Sequence, residues 1–314
     1  MMSKSLDRDS ISHAARRIAP HIRRTPVMDV WLEGIARPVT LKLELLQHAG
    51  SFKARGAFNN LVGLEPMAVT AASGGNHGAA VAYAGATLGH QARIFVPEIA
   101  SPAKVARIAS YGAEIVQKGA NYQESLGLCE AYVAASGALN VHAYNTAVTL
   151  QGQGTLAREL EDQAPDLDTV LVAVGGGGLI GGIAAWYQSG VKVVGVEPET
   201  CNALHAALAA GQPVSIKPFG VAADSLGASS AGSLMFPIAK AHIDHVALVN
   251  DEAIRAAQRY LWKAMRLVSE PGGAAALAAL LSGAYRPEKD ERVGVVVCGA
   301  NTDMESFGKL LTTS

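Results

Sequence analysis

Lys53 is the residue whose setting in this sequence most suggests chemistry. It directly follows Phe52, within the stretch AGSFKARGAFNN of residues 49–60. Ser51 is a favourable N-cap residue and apolar residues recur behind it at helical spacing, so the sequence predicts that Lys53 lies in the first turn of a helix. The positive end of the helix dipole disfavours an ammonium there, and burial lowers a lysine pKa further. A lysine that loses its proton easily is a nucleophile, although a surface lysine with apolar neighbours is the alternative.

Four consecutive glycines, Gly175, Gly176, Gly177 and Gly178, separate the apolar run TVLVAV from the apolar run LIGGIAAWY. A strand that delivers glycines to a helix N-terminus leaves backbone amides free. Together with the helix dipole, these amides form a cradle for a compact phosphate. The same letters also match the dinucleotide pattern G-x-G-x-x-G through Gly181. A dinucleotide site is the less favoured alternative, because this unit begins late in the chain for a first nucleotide-binding turn.

The stretch SGGNHG, from Ser73 to Gly78, again lies between a strand pattern and a helix pattern. Its amides and the side chains of Ser73 and Asn76 suit a carboxylate or a ring oxygen of a ligand. A tight turn in which Asn76 tolerates left-handed geometry is the alternative. His77, taken alone, is more typical of a structural residue than of a catalytic one.

Two further candidates come late in the chain. Glu270, in SEPGGAAALAAL, is predicted to stand at the end of an apolar helix, just before Pro271. Cys298, in VVVCGANTD, follows a buried strand, and in open parallel sheets ligands bind at the carboxyl ends of the strands. An ordinary helix boundary and a buried structural cysteine are the respective alternatives.

The composition limits the classes of function. The chain has 314 residues, of which 49% are hydrophobic, enough for a large core in about two domains. Lys and Arg number 26 against 27 acidic residues, so there is no electrostatic case for nucleic acid or an anionic membrane as a partner. The three cysteines lack metal-ligand spacing, which fits a reduced cytoplasm. The sequence shows neither a signal peptide nor an apolar run that spans a bilayer, so we expect a cytoplasmic protein.

Strand and helix patterns alternate along the chain. Apolar runs at 39–46, 68–73, 91–97, 191–198 and 292–303 predict strands, and the stretches between several of them predict helices. The first run, VTLKLELL, alternates apolar and polar residues and predicts a strand with one buried face. Continuous apolar strands that alternate with helices indicate a parallel α/β sheet.

The motifs GSFKARGA, SGGNHG, VGGGGLIGG, EPGGAAALAAL and CGAN, in this order, resemble the fold-type II pyridoxal-phosphate enzymes. The likeness is greatest to the branch of threonine and serine dehydratases and serine racemases, and it covers nearly the whole chain. The resemblance implies an α/β fold with two domains on open parallel sheets, like the β subunit of tryptophan synthase. It implies a large cofactor-binding domain of residues 1–66 and 146–314 and a small mobile domain of residues 67–145.

The resemblance also implies a role for each motif. Lys53 resembles the lysine that binds pyridoxal 5'-phosphate covalently, with Phe52 beside the cofactor ring. The other implied cofactor contacts are Asn76 at the ring hydroxyl, Gly175, Gly176, Gly177, Gly178 and Leu179 at the phosphate, Glu270, and Cys298 at the pyridine nitrogen. The implied substrate contacts are Ser73, Gly74, Asn76 and His77, where the family holds the substrate carboxylate.

A thiol at the pyridine nitrogen has a consequence for the reaction. Its ordinary pKa of ~8.5 makes Cys298 a poor proton source for the ring. A ring that stays unprotonated is a weaker electron sink, which favours loss of a β-substituent over racemisation or transamination. We therefore expect a dehydratase (ammonia-lyase) that converts a small L-β-hydroxy amino acid, such as threonine or serine, to a 2-oxo acid and ammonia. Lys53 is the expected general base.

Several alternatives share this scaffold. An amino-acid racemase is the main one, and a β-replacement enzyme fits the motifs less well. A specialised dehydratase would act on 3-hydroxyaspartate, phenylserine or a hydroxyectoine-pathway intermediate. A non-catalytic binding protein is disfavoured because Lys53 is retained. The family expectation for assembly is a homo-oligomer, either a dimer or a tetramer.

Two positions separate this sequence from the racemases that it resembles. Those enzymes carry a serine after the residue that matches Ser73, and this chain has Gly74 there. Their divalent cation is held in part by a glutamate, matched by Glu197, and by an aspartate, where this chain has Ala203. We therefore expect poor racemisation and no strong dependence on Mg²⁺ or Ca²⁺, since hard cations require several oxygen ligands.

Overall fold

The computed structural model describes residues 6–312. Its helices are α1 (Arg8–Ile18), α2 (Lys53–Leu61), α3 (Asn76–Leu88), α4 (Pro102–Ala109), α5 (Tyr122–Ser136), α6 (Ala147–Gln163), α7 (Gly178–Tyr187), α8 (Ala203–Ala210), α9 (Ala223–Leu226), α10 (Phe236–His242), α11 (Asp251–Met265), α12 (Pro271–Leu281) and α13 (Met304–Thr312). Its strands are β1 (Val27–Val30), β2 (Val39–Lys42), β3 (Ala68–Ala72), β4 (Gln91–Val96), β5 (Glu114–Gln117), β6 (Leu139–Asn140), β7 (Thr169–Ala173), β8 (Lys192–Pro198), β9 (Ile243–Val249) and β10 (Val293–Val296). Within this range, none of the helices has the length and apolar character needed to cross a membrane.

The strands form two sheets. The larger has six strands in the order β1-β2-β10-β7-β8-β9, and the smaller has four in the order β5-β4-β3-β6. Strand β1 pairs antiparallel with β2, while the other pairs in both sheets are parallel. The predicted α/β architecture with mostly parallel strands is therefore confirmed.

The larger sheet packs against two helices that are apolar on nearly every side. All ten residues of α7 are buried, and so are nine residues of α12. A helix without a polar face is stable only when it is surrounded by protein, which explains why both lie in the largest hydrophobic core. The loops that precede α7 and α12 are thereby fixed against the sheet.

A second core lies against the smaller sheet and draws on the N-terminal part of the chain. Ile18, Phe58 and Leu61 are fully buried and pack with Val69 and Ile94 of the small sheet. Helix α2, which begins at Lys53, belongs to this second core and also packs against α6, whose apolar residues lie in the core of the larger sheet. Helix α2 therefore contacts both hydrophobic cores. The division of the chain at 66/67 and 145/146 into two domains stays a prediction.

The strand predicted at 39–46 is shorter than expected, and its polar side is not exposed. Strand β2 ends at Lys42, and a short 3₁₀ helix follows over Glu44–Leu46. Lys42 and Glu44 are 0% exposed, so the prediction of a single buried face was wrong. The two side chains can be buried because each meets a partner of opposite charge in the interior, at Glu159 and Arg55.

Candidate active site

Two loops meet at the carboxyl edge of the larger sheet. Strand β7 ends at Ala173 and is followed by the four glycines, and the neighbouring strand β10 ends at Val296, two residues before Cys298. Because parallel strands bring their carboxyl ends to one edge, the glycine loop and the cysteine lie at the same end of the sheet.

The loop that carries the candidate lysine is tied to the cysteine loop. Phe52 N donates to Cys298 O at 3.1 Å, and Ser51 forms an isolated antiparallel bridge with Gly299. The predicted N-cap at Ser51 is wrong: α2 begins at Lys53, Phe52 holds the N-cap position, and no side chain caps it. The backbone of Ser51 pairs with Gly299, and its buried hydroxyl meets no hydrogen-bond partner among residues 6–312.

Lys53 lies in the first turn of α2, as predicted, and its amine points toward the loop after β6. Its Nζ donates to Ala143 O at 2.8 Å and lies 5.1 Å from the centre of the Phe52 ring. Burial lowers the pKa of Lys53 to about 8, and the charge of Glu270 opposes that shift. A sizeable fraction of the amine is therefore neutral near physiological pH, which is what a nucleophile or a general base requires.

Glu270 faces the SGGNHG loop. It is the N-cap residue of α12 rather than the end of an apolar helix, so that prediction was wrong. Pro271 lacks an amide hydrogen and fits the first turn of a helix, which places the helix start directly after Glu270. Asn76 Nδ2 donates to Glu270 Oε1 at 2.5 Å. Burial raises the pKa of Glu270 to about 7, and this hydrogen bond acts in the opposite direction.

Cys298 is buried near Glu270 and Lys53. It is 3% exposed, and its Sγ donates to Gly272 O at 3.5 Å. Burial and the nearby Glu270 raise the pKa of the thiol well above its ordinary value, so Cys298 stays protonated at neutral pH.

The SGGNHG loop presents small groups to the site. Ser73 Oγ accepts from Gly75 N at 3.2 Å. His77 Nε2 lies 2.6 Å from Val141 O, and because a carbonyl only accepts, this nitrogen carries the proton. Burial and the charge of Lys53 lower the pKa of His77 to about 3, so the ring is neutral at physiological pH. His77 therefore brings no positive charge to the site.

The glycine loop closes tightly around the start of α7. Gly177 has φ +88°, which side-chain-bearing residues rarely adopt, and a Cβ there would lie 2.5 Å from Met235 Cε. In the part of the chain that the structure describes, the amides of Gly176, Gly177 and Gly178 meet no hydrogen-bond acceptor. Free amides at a helix N-terminus are suited to bind an anion, and the binding of a phosphate by this loop stays a prediction. Leu179 follows as the second residue of α7 and is 4% exposed.

Several site residues are not signalled by any motif. The Tyr144 ring packs directly on Gly176, and the Ala143 carbonyl receives the lysine amine. Lys104 of α4 forms an ion pair with Asp224 of α9 and so joins the two sides of the site. Residues 141–146 follow a strand of only two residues, so the sequence offered no periodic pattern from which to place them.

Glu197, matched from the sequence to a cation ligand, has a different use. Its two carboxylate oxygens accept from the amides of Leu204 and His205, each at 2.8 Å, at the N-terminus of α8. It is fully buried, and burial raises its pKa to about 8. Among residues 6–312, no three His, Cys, Asp or Glu side chains form a group that could hold a metal ion.

We accordingly predict that activity is independent of divalent cations. Treatment with EDTA followed by gel filtration should change the rate of turnover by less than about twofold. The reason is that the Glu197 carboxylate, already bonded to two backbone amides, is by itself a poor ligand set for Mg²⁺ or Ca²⁺. The rate is measured before and after chelation and after adding back 1:1 and excess Mg²⁺. Loss of activity in the chelator that Mg²⁺ restores would contradict the prediction.

Comparison with known proteins supports a common family. A family model for pyridoxal-phosphate dependent enzymes matches residues 18–299. The phenylserine dehydratase of Ralstonia pickettii is 38% identical, with 97% of this chain and 96% of the relative covered. The catabolic L-threonine dehydratase of Escherichia coli K12 is 33% identical, covering 96% and 95%. The structure of maize serine racemase superposes with a TM-score of 0.90 at 32% identity, covering 96% of each chain.

Proposed function

Because the chain belongs to the pyridoxal-phosphate dependent enzymes, we propose that it is a dehydratase that removes water from a small L-β-hydroxy amino acid. The products are a 2-oxo acid and ammonia. The observation that carries the proposal is the combination of one proton-accepting amine, Lys53, with a loop that offers no side chain at Gly74. The phenylserine and threonine dehydratases among the relatives support the same reaction class.

The residues present fit pyridoxal phosphate. The unsatisfied amides at the start of α7 suit its phosphate. The Lys53 amine is partly neutral and donates to Ala143 O, next to Tyr144, which packs on Gly176 of the glycine loop. Asn76 would contact the ring hydroxyl and Cys298 the pyridine nitrogen. When bound there, the cofactor supplies an electron sink for the charge that develops at the substrate α-carbon.

The chain's own groups account for the remaining steps. Ser73 and the backbone amides of its loop, including that of Asn76, hold the substrate carboxylate, and neutral His77 supports this loop through Val141. The neutral amine of Lys53 would remove the α-proton of the substrate as general base. The β-hydroxyl takes up a proton in place of the one that Lys53 has removed and leaves as water. The enamine that remains tautomerises to an imine, which water hydrolyses to the 2-oxo acid and ammonia.

The substrate is best identified by a direct assay. The relatives include a phenylserine dehydratase and an L-threonine dehydratase, so the panel contains L-threo-phenylserine, L-threonine, L-serine and 3-hydroxyaspartate. We expect ammonia release in a 1:1 ratio with a 2-oxo acid from at least one of them. The loaded enzyme is compared with a sample from which the cofactor has been removed by hydroxylamine. Absence of ammonia from every member would contradict the proposed function.

A racemase is the second candidate, since a serine racemase structure superposes closely. Racemisation needs a proton donor on each face of the α-carbon, and Lys53 serves one face only. Gly74 offers no donor at the position where the resembling racemases have a serine. A Cβ placed on Gly74 would lie 2.8 Å from Ala100 Cβ and 3.1 Å from Val96 Cγ1, so this loop is also packed too closely to accept a side chain without movement.

We predict that Gly74→Ser introduces detectable racemisation and slows elimination. Overpacking against Ala100 should destabilise the fold by about 1–3 kcal/mol and displace this loop, so elimination should be slower than in wild type. The double variant Gly74→Ser with Ala100→Gly removes that contact and should racemise faster than the single variant. Chiral chromatography of the remaining amino acid gives the result. Equal enantiomer formation by wild type and both variants would show that position 74 does not govern racemisation.

A second prediction concerns Cys298. Cys298→Ser should keep elimination within about tenfold of wild type, because a hydroxyl also hydrogen-bonds an unprotonated ring nitrogen. Cys298→Asp should protonate the ring and increase transamination or racemisation relative to elimination. The product ratio is measured by 2-oxo acid assay together with chiral analysis. An Asp variant with the wild-type product ratio would show that Cys298 does not contact the ring nitrogen.

We further propose a cytoplasmic location and a homo-oligomer, either dimer or tetramer, with small-molecule substrates as the chain's ligands. The balanced charge and the unpaired cysteines support the location. Size-exclusion chromatography with light scattering tests the assembly.

A further inference from the structure

A chain of amide groups joins the lysine loop to the carboxylate in the site. Asn301 Nδ2 donates to Ala49 O at 2.8 Å and to Asn76 Oδ1 at 2.6 Å. Asn76 Nδ2 in turn donates to Glu270 Oε1 at 2.5 Å. Ala49 lies just before the GSFKARGA motif, and Asn301 is the last residue of the CGAN motif. The four groups belong to four separate segments of the site, which this series of hydrogen bonds connects.

The orientation of every amide in this chain follows from its first member. The Ala49 carbonyl can only accept a hydrogen bond, so Asn301 must turn its Nδ2 toward it. That same nitrogen lies beside Asn76, so the Asn76 atom facing it must be the acceptor, Oδ1. Asn76 Nδ2 is then left facing Glu270. A backbone carbonyl outside the site thus determines which end of the Asn76 amide faces into it.

Asn301 is held too firmly to reverse this arrangement. It is 7% exposed, and a Cβ on Gly50 would overlap with its Oδ1, because the amide packs closely on that backbone. The two hydrogens of its Nδ2 are matched by its two acceptors, Ala49 O and Asn76 Oδ1. Asn76 Nδ2, by contrast, uses one hydrogen on Glu270 and keeps the second for a ligand.

We propose that Asn301 is a positioning residue that acts through Asn76, by keeping the second N–H of Asn76 directed at the ring oxygen of the cofactor. The inference rests on the proposed placement of the cofactor ring beside Asn76. A donor at the ring oxygen stabilises its ionised form, whereas an acceptor there would stabilise its protonated form. Asn301 thereby sets the protonation of an atom that it does not touch.

The test compares two substitutions by the visible spectrum of the bound cofactor. Asn301→Ala frees the Asn76 amide to rotate. Asn301→Asp keeps the shape but presents an acceptor, which attracts Asn76 Nδ2 and turns Oδ1 toward the ring. Both should shift absorption from the long-wavelength band to the short-wavelength band of the oxygen-protonated cofactor. We expect the band ratio to change by about 2- to 12-fold for Ala, the equivalent of one hydrogen bond, and by more for Asp.

The relative size of the spectral change in the two variants shows whether Asn301 orients Asn76 or only fills space. If Asn301 only filled space, the isosteric Asp would disturb the spectrum less than Ala. Asn121→Ala is the control, because it removes an N-cap hydrogen bond to Glu124 N in α5 that lies outside this chain of amides. Its spectrum should match wild type. Spectra are compared at equal cofactor content in proteins shown to be folded by circular dichroism.

Two results would overturn the inference. The first is a wild-type spectrum in Asn301→Ala, which overturns the inference even if Asn301→Asp does not fold. The second is a larger change of the band ratio in Asn301→Ala than in Asn301→Asp. In each case borohydride labelling of Lys53 in the wild type, together with ammonia release from the substrate panel, would show that the proposed function stands. If wild-type Lys53 is not labelled, the proposed function fails and this inference fails with it.

Discussion

Lys53→Ala should abolish measurable turnover. The substitution removes the group that binds the cofactor and also the general base, and loss of the base alone costs on the order of 10²- to 10⁴-fold in rate. Lys289→Ala, at an exposed position, is the matched control and should retain wild-type activity. Steady-state ammonia release measures both variants. In the wild type, borohydride reduction and peptide mapping should place the cofactor on Lys53.

The lowered pKa of the lysine adds a second test of the same assignment. Below a pKa of about 8 the neutral fraction of the Lys53 amine rises tenfold for each pH unit, so the rate at which cofactor-free protein regains its visible absorbance should rise with pH and level off above about 8. A label on another lysine, or a rate of cofactor uptake that does not change between pH 6 and 9, would contradict the role of Lys53.

Arg55→Met should destabilise the protein by about 3–5 kcal/mol, the cost of leaving buried charges without their partner. Arg55 is 0% exposed, and its guanidinium donates to Glu44 Oε1 at 2.6 Å, to Glu44 Oε2 at 3.0 Å and to Glu159 Oε2 at 3.1 Å. Lys42 Nζ binds Glu159 Oε1 at 2.5 Å from the other side. Methionine keeps an unbranched apolar stem but lacks the guanidinium, so the two carboxylates lose that partner and keep only the hydrogen bonds from Lys42 and from neutral donors such as Thr25.

The control for Arg55 is an ion pair on the surface. Arg37 Nη2 pairs with Asp290 at 3.1 Å, but both side chains are largely exposed, so Arg37→Met should cost less than about 1 kcal/mol. The shift in the urea unfolding midpoint of the cofactor-free protein measures both variants. A shift for Arg55→Met no larger than that for Arg37→Met would show that the buried charges do not stabilise the fold.

Local patterns in the sequence were sufficient for the frame of the site. The apolar run before the glycines and the apolar residues after them predict β7 and α7, and the structure places the two around Gly175–Gly178. The position of Lys53 in the first turn of α2 follows from helical spacing in the same way. In each case the signal lies within about ten residues, so no knowledge of tertiary contacts was needed.

Where the sequence misled, the deciding contact came from a distant part of the chain. Lys42 and Glu44 alternate as an exposed strand face would, yet Glu159 and Arg55 bury them. Ser51 has the side chain of an N-cap, but pairing with Gly299 sets its backbone.

The contacts of Tyr144 and Asn301 with the site also depend on packing between segments far apart in sequence. Tyr144 packs on Gly176, and Asn301 binds Ala49 and Asn76. No periodicity within a single segment encodes such contacts.

The central claim is that the enzyme eliminates water from one enantiomer and does not interconvert enantiomers. The most direct measurement follows 2-oxo acid and the D-enantiomer together, by coupled dehydrogenase assay and chiral chromatography, during turnover of whichever L-β-hydroxy amino acid gives the fastest ammonia release. We predict that the 2-oxo acid accumulates with at least tenfold less D-amino acid, because Gly74 supplies no proton donor opposite Lys53. Formation of the D-enantiomer as fast as the 2-oxo acid would contradict the dehydratase assignment and favour a racemase.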